Sequence, residues 1–165
     1  RHLLPHHLPF PLTHSTRCGS PRLTELVPPH LRGYTPSTMA NEPRSPILIV
    51  SPRWQTRSLL VAQIGELSER DVISAPDVDQ ALKLIKLSGV DPAVLVVDTG
   101  HQLSPQDVER LVEARRGTPL VLVVSRLRRE GFQGLRDRAA ATLVRPVSIG
   151  RVARTVIQVL EEPAG

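Results

Sequence analysis

Cysteine is almost missing from this chain: Cys18 is the only one in 165 residues. That excludes an intramolecular disulfide and any cysteine-based zinc site, and it suits a reducing, cytoplasmic setting. Aromatic residues make up 2% of the chain, too few for the ring platforms that hold single-stranded nucleic acids. There is no run of about 18 apolar residues to cross a bilayer, and no clean apolar core of a secretory signal. Lysine is scarce too, with Lys83 and Lys86 standing alone among 21 basic residues. What remains is 40% hydrophobic, enough for one ordinary domain with a real core and a tail.

The net charge of +5 invites a nucleic-acid reading until it is divided along the chain. Residues 1–38 carry four arginines and one glutamate, which is +3; the rest carry 17 basic against 15 acidic residues, which is +2. The part able to fold is therefore nearly balanced, and global charge is a poor argument for DNA binding. The same 38 residues hold seven of the 16 prolines and five of the six histidines. Their X-Pro steps break any helix, and the segment is predicted to be disordered. The domain is expected over 46–162, with the disordered segment before it (1–45) and a short tail over 163–165. The single methionine, Met39, is expected to be the natural start, with what precedes it no part of the native protein. An organelle transit peptide is the functional alternative, against which the many prolines count. His2, His6 and His7 lack fixed geometry and are read as inert.

From Pro46 the punctuation becomes regular. Ile47–Val50 reads as a buried strand, and Trp54–Leu67 as a helix with Leu60, Val61, Ile64 and Leu67 on one face. Asp71–Ser74 reads as a short strand. Asp77 then opens a helix whose Val78, Ala81, Leu82 and Ile85 share a face, stopped by Ser88-Gly89. Ala93–Asp98 is a third strand. Ser104-Pro105-Gln106-Asp107 has the cap, proline and acid of a helix start, and that helix is expected to run to Gly117. Leu120–Val124 is a fourth strand. Arg126 to Ala141 is expected to be a weak, solvated helix. Ala141–Val144 is a fifth strand, and Ser148 caps a last helix with Ile149, Val152, Ala153, Val156 and Leu160 inward. Strands apolar on both faces and alternating with helices predict a parallel α/β sheet. Five such units predict a single flavodoxin-like (βα)5 domain of strand order 2-1-3-4-5, with helices on both faces.

Within that pattern one residue stands out. Asp98 is a lone carboxylate at the carboxyl end of a buried strand, where open α/β sheets place their ligands. Ser125 ends the fourth strand, and Arg145-Pro146 ends the fifth.

Together these residues resemble the receiver domain of bacterial two-component response regulators. The resemblance spans about residues 46–162. It rests on Ala75-Pro76-Asp77-Val78-Asp79-Gln80-Ala81-Leu82, on Asp91 to Asp98, on Ser125 and on Arg145-Pro146. It implies that Asp98 stands at the phospho-acceptor position, reached by a phosphoryl group from a histidine kinase. That chemistry needs Mg²⁺, held by the aspartate and by an acidic pair closing strand one. The metal is needed because a carboxylate must attack a group that is already negative. Here Ser51 and Pro52 replace the acidic pair, Arg145 replaces the family's lysine, and Thr99-Gly100-His101-Gln102-Leu103 departs from its loop. One carboxylate is a poor Mg²⁺ site, and arginine differs from lysine in reach and geometry. The expectation is a degenerate receiver, or pseudo-receiver, that is not an enzyme and needs no cofactor. Mg²⁺ would matter only under the alternative, a phosphorylatable regulator using Asp98.

Ser125 and Arg145 are expected to form a structural hydrogen bond and an ion pair with Asp98. His101 is read as an exposed loop residue, Trp54 as packed against the mouth of the site, and the bond before Pro146 as cis by resemblance. Arg126, Arg128, Arg129, Arg136 and Arg138, with Arg145, Arg151 and Arg154, concentrate positive charge on the fourth helix, fifth strand and fifth helix. That face is the candidate for a homodimer or for docking a protein partner, either a histidine kinase or a separate effector chain. Two rival classes remain. One is nucleic-acid binding through the arginine face. The other is a small-molecule-binding flavodoxin-like domain, against which Ser51-Pro52-Arg53 stands in place of a glycine-rich phosphate loop.

Overall fold

Five strands lie side by side in the order β2-β1-β3-β4-β5, and every neighbouring pair is parallel. The coordinates are a computed structural model in which residues 44–162 are described. Expectations placed on residues 1–43 and 163–165 lie outside the described residues. The elements are β1 (Ile47–Val50), α1 (Trp54–Leu67), β2 (Val72–Ala75), α2 (Val78–Leu87), β3 (Val94–Asp98), α3 (Pro105–Ala114), β4 (Leu120–Ser125), α4 (Gln133–Arg138), β5 (Ala141–Arg145) and α5 (Ile149–Glu161). This is the doubly wound, flavodoxin-like architecture expected from the alternation of strand and helix. No helix among the described residues is long and apolar enough to cross a membrane.

The sheet divides the core in two, and the pleat decides which residue goes where. Leu48, Val50, Leu95, Val97, Leu122 and Val124 pack on the side of α2, α3 and α4. Ile47, Ile49, Val94, Val96, Val121 and Val123 pack on the side of α1 and α5. Carrying the second parity to the strand ends brings Ser51, Asp98, Ser125 and Arg145 to the same face. The period of two along each strand thus assembles the site.

Helix starts follow local chemistry. The Asp77 side chain accepts from the Gln80 N–H at 2.8 Å, and Ser148 caps α5 through the Arg151 N–H. At α3 the Ser104 hydroxyl accepts from the Asp107 N–H, while the Asp107 carboxylate accepts from the Ser104 N–H and hydroxyl. This reciprocal capping box satisfies donors that the helix leaves open. It also holds the Asp107 carboxyl below its ordinary value, because hydrogen bonds from Ser104 favour the ionised form.

Several boundaries differ from expectation. Arg44 and Ser45, assigned to the leading segment, are tied to the domain: Arg44 pairs with Glu69 at 2.6 Å, and Arg70 donates to the Ser45 carbonyl at 3.0 Å. β2 and β5 each end one residue later than the pattern suggested, and α3 ends at Ala114 rather than Gly117. The stretch after β4 is not one helix but two 3₁₀ turns, Arg126–Arg128 and Glu130–Phe132, followed by the short α4. Phe132 and Leu135 are buried there. Two apolar anchors in a charged segment pin it to the sheet without filling a helical face. Trp54 is 65% exposed and does not pack against the site as expected. At the first position of α1 it points away from a core already filled by Leu60 and Ile64.

Two outcomes follow. Phe132→Ala removes the largest fully buried side chain and should cost about 3–5 kcal/mol, read as a lower urea midpoint at unchanged slope. Asp107→Asn should destabilise the fold at neutral pH. Because the folded pKa of Asp107 is lowered, its contribution is complete above the unfolded carboxylate pKa and is lost as pH falls through the folded one. The gap between wild type and variant should therefore close below that range, as thermal unfolding across an acid series would show.

Candidate functional site

Asp98 ends β3 with its carboxylate sealed from solvent, at 0% exposure. A charge in that position must be paired and hydrogen-bonded. Arg145 supplies both from the end of β5, with Nε donating to Oδ1 at 3.2 Å and Nη2 donating to Oδ2 at 2.8 Å. The bidentate fork matches the two carboxylate oxygens. β4 lies between the two strands, so the guanidinium reaches across roughly 10 Å of sheet, about two strand spacings. Ser125 is the register partner of Arg145, and it puts only a small side chain in that path. A third donor comes from β1: the Ser51 hydroxyl donates to Asp98 Oδ2 at 3.1 Å. Ser51 is itself fully buried, and its N–H continues the ladder to the Ala75 carbonyl at 3.1 Å.

The surroundings close the site further. Thr99, also buried, donates both its N–H and its hydroxyl to the Val123 carbonyl, at 3.0 and 3.2 Å. Gly100 then turns the loop with φ +52, and a methyl added there would meet the Pro52 ring at 3.3 Å. Left-handed backbone and a close approach both demand glycine at this point. Arg57 donates to the Ser51 carbonyl at 2.6 Å, so the turn leaving β1 is anchored by a basic side chain from α1. The bond between Arg145 and Pro146 is cis.

Two surface depressions of opposite character lie near the carboxyl ends of the strands. At one, Asp77, Asp79 and Asp107 line a hollow with Pro52, Pro76, Val78, Gln102 and Leu103. Each of these acids already has a partner: Asp77 caps α2, Asp107 accepts from the Ser104 N–H and hydroxyl at the start of α3, and Asp79 pairs with Arg110 at 3.1 Å. At the other, Arg53, Gly100, His101, Ser125, Arg145, Pro146 and Val147 line a cleft of about 360 Å³. No acid is among them.

A divalent cation does not fit these residues. Mg²⁺ requires oxygen ligands in octahedral array, with carboxylates prominent among them. The one carboxylate here is held by a guanidinium and a hydroxyl, and a proline ring stands beside it. No group of three or more His, Cys, Asp or Glu able to hold a metal occurs among the described residues.

The expected site residues are distributed unevenly. Ser51, Asp98 and Arg145 form one hydrogen-bonded cluster, with Pro52, Ser125 and Pro146 around it. No Ser125 hydrogen bond to Asp98 is present; the serine that bonds the carboxylate is Ser51. His101 is exposed on the rim of the basic cleft. The arginine face is less uniform than its sequence suggests. Arg128 lies over the Phe132 ring at 5.5 Å, Arg136 donates to Gln133 at 2.6 Å, and Arg138 pairs with Glu109 at 3.2 Å. Arg126, Arg129, Arg151 and Arg154 are exposed, as is Leu127 at 92%. Sequence reasoning missed Arg53, Arg57 and Thr99 as parts of the site. The position of Arg53 directly after Ser51-Pro52, at a strand's carboxyl end, was the available signal for it.

The five-stranded parallel sheet of order 2-1-3-4-5, with Asp98 closing its central strand and Arg145-Pro146 closing the last, has the fold of known receiver domains. Solved structures agree. The receiver domain of NtrX from Brucella abortus matches 70% of this chain and 98% of its own, at TM-score 0.59 and 20% identity. The chemotaxis response regulator CheY4 of Vibrio cholerae matches 70% of this chain and 98% of its own, at TM-score 0.56 and 19% identity. A structure described as adenylate cyclase from Rhodopirellula baltica matches 71% of this chain and 87% of its own, at TM-score 0.61 and 12% identity. No protein-family model and no curated protein sequence matches the chain.

The clamp around Asp98 has a measurable signature. Arg145→Met leaves a buried carboxylate without its counter-charge and should cost roughly 3–5 kcal/mol. Asp98→Asn should cost less, because the half-buried guanidinium it frees can be hydrated. The double variant should recover much of the Arg145→Met loss. Urea unfolding of all four proteins closes the cycle, and additive costs would mean the pair is not coupled.

Proposed function

We propose that this protein is a receiver-like signalling protein that acts by contact with a protein partner, without efficient phosphotransfer to Asp98. The observation that carries this reading is the closure of Asp98. Its carboxylate has no exposed surface, and both oxygens are engaged by Arg145 and Ser51. An acceptor for in-line phosphoryl transfer must present a free lone pair to the donor, with a metal to offset the gathered charge. Here the first requires breaking a buried ion pair, and the residues that would meet the second are a serine and a proline. The signalling assignment draws on the fold shared with the receiver domains of NtrX and CheY4. On this reading the protein is not an enzyme and works in the cytoplasm.

Output then depends on surface. The α4–β5–α5 side offers Leu127 flanked by Arg126 and Arg129, with Arg151 and Arg154 on α5. An exposed leucine with exposed arginines beside it in the chain suits an acidic partner with an apolar pocket, or a second copy of the chain. A separate effector or a histidine kinase is the partner class the fold suggests. The nucleic-acid reading is weakened by the commitment of Arg128, Arg136 and Arg138 to partners within the chain.

The test is incubation with acetyl phosphate and Mg²⁺ followed by intact-mass measurement. The expected result is no added phosphoryl mass. A phospho-adduct that disappears in Asp98→Asn would overturn the proposal.

A further inference from the structure

Lys83 and Lys86, the only lysines in the chain, stand together on α2, away from the strand ends. With Asp79 and Leu87 they fall at spacings of three and four, so they share the outward side of the helix. The inward side of Val78, Ala81, Leu82 and Ile85 is already buried. Leu87 has no place in that packing and is 82% exposed. On α3, Arg110, Glu113 and Ala114 make a second row at the same spacings. Two hollows of about 440 and 410 Å³ lie between the helices, and Leu82, Lys86 and Arg110 line both. They form one continuous groove, about 12 Å long at the rise of a helix from Asp79 to Leu87.

Charge along this groove is uneven. Arg110 is answered by Asp79 at 3.1 Å and by Asp107 at 3.6 Å. Lys83, Lys86 and Arg116 are exposed, and no ion pair holds them among the described residues. The one acid left in the lining to set against them is Glu113. A lone exposed leucine is ordinary. A leucine on the wall of a groove edged by three uncommitted cations is a docking pattern. The lysine stems extend the apolar wall while their ammonium groups stay in water.

We infer that the groove between α2 and α3 takes an amphipathic helix from a partner protein, with apolar side chains toward Leu82 and Leu87 and acidic ones beside them. A helix laid in a groove is a recurrent mode of recognition, held by anchors at i, i+3, i+4 and i+7. Charge complementarity selects its flanks: acids would meet Lys83, Lys86 and Arg116, whereas a basic helix would gather like charges. Lys86 and Arg116 line the same hollow, so the acids belong toward the carboxyl ends of α2 and α3. The groove shares no residue with the Asp98 cluster or with the arginine side around Leu127. Docking here is independent of the state of Asp98, and it leaves α4, β5 and α5 free for a second chain.

The experiment titrates three synthetic peptides into the full chain, each of about 14 residues and capped to hold helix. All carry leucine at i, i+3, i+4 and i+7, with glutamate, glutamine or lysine at the flanking positions. Backbone amide shifts by two-dimensional NMR are the readout. The glutamate peptide should give saturable shifts from Lys83 to Leu87 and from Arg110 to Arg116, and bind at least about tenfold more tightly than the lysine peptide. Leu87→Ser should weaken it about tenfold through lost apolar burial, and Lys83→Gln with Lys86→Gln by a similar factor. All three side chains are exposed, so an unchanged circular dichroism spectrum is expected. Arg44→Gln removes one charge outside the groove and should leave affinity within about twofold. No saturable shift with any peptide up to about 1 mM overturns the inference. So do equal affinities for the glutamate and lysine peptides, or shifts centred on Leu127 and α5. Sedimentation of the chain alone completes the test. Self-association abolished by Leu87→Ser would mean that a second copy covers the groove. Cosedimentation with anionic phospholipid vesicles, lost in the same variant, would mean that a membrane does. Either result overturns a partner helix as the occupant.

Discussion

The bidentate pair between Asp98 and Arg145 is the constraint on which the rest of the site depends. A carboxylate with no exposed surface is tolerable only when its charge and its lone pairs are answered inside the protein. The guanidinium answers the charge from two strands away, and Ser51 adds a donor from the strand on the opposite side. The carboxyl ends of β1, β3 and β5 are therefore joined through a single side chain. Such a cluster is rigid because loosening any member leaves another buried and unsatisfied. It also fixes where the remaining arginine surface faces, since Arg145 cannot turn toward solvent without exposing the problem it solves.

Sign is the second consequence. A fold does not dictate a function; the residues grafted on it do. At the end of β1 a serine and a proline stand where this architecture can hold acids, and Arg53 follows them. The serine is small enough to be buried against Asp98, and the proline ring fills the space next to the Gly100 turn. The result is a closed carboxylate flanked by a positive cleft. The same sheet and the same strand order thus carry an arginine-lined cleft with no acid in its lining.

Elements whose burial is simple were legible without coordinates. Strands apolar on both faces, such as Val94–Asp98, can only be central strands between helix layers. Ser104-Pro105 and Asp77 are local chemical signals that need no distant partner. Trp54 was misjudged because a large aromatic at a helix start gives no sign of which way its first turn faces. The stretch after β4 was misjudged for a related reason. Phe132 and Leu135 are three apart in a run of charge, too few to mark a periodic face, and only the gap they fill beside β4 explains their burial. Ser125 and Ser51 are a harder case. Both end strands on the same face, and which hydroxyl meets Asp98 depends on the side from which Arg145 arrives.

By itself the amino-acid sequence determined the order of strands and helices, the parity that lines up Ser51, Asp98, Ser125 and Arg145, and the serine and proline that follow the first strand. These follow from periodicities of two and of 3.6 residues, and from side-chain chemistry read one position at a time. Only the tertiary structure decided that Asp98 is sealed, that Ser51 completes its hydrogen bonding, and that Arg53 and His101 share a cleft with Arg145. Those facts join residues far apart in the chain: Asp98 lies 47 positions from both Ser51 and Arg145, on a neighbouring strand in the first case and across β4 in the second. Burial and pairing of that kind depend on how far a strand has twisted and how far a side chain reaches, quantities that no local pattern encodes.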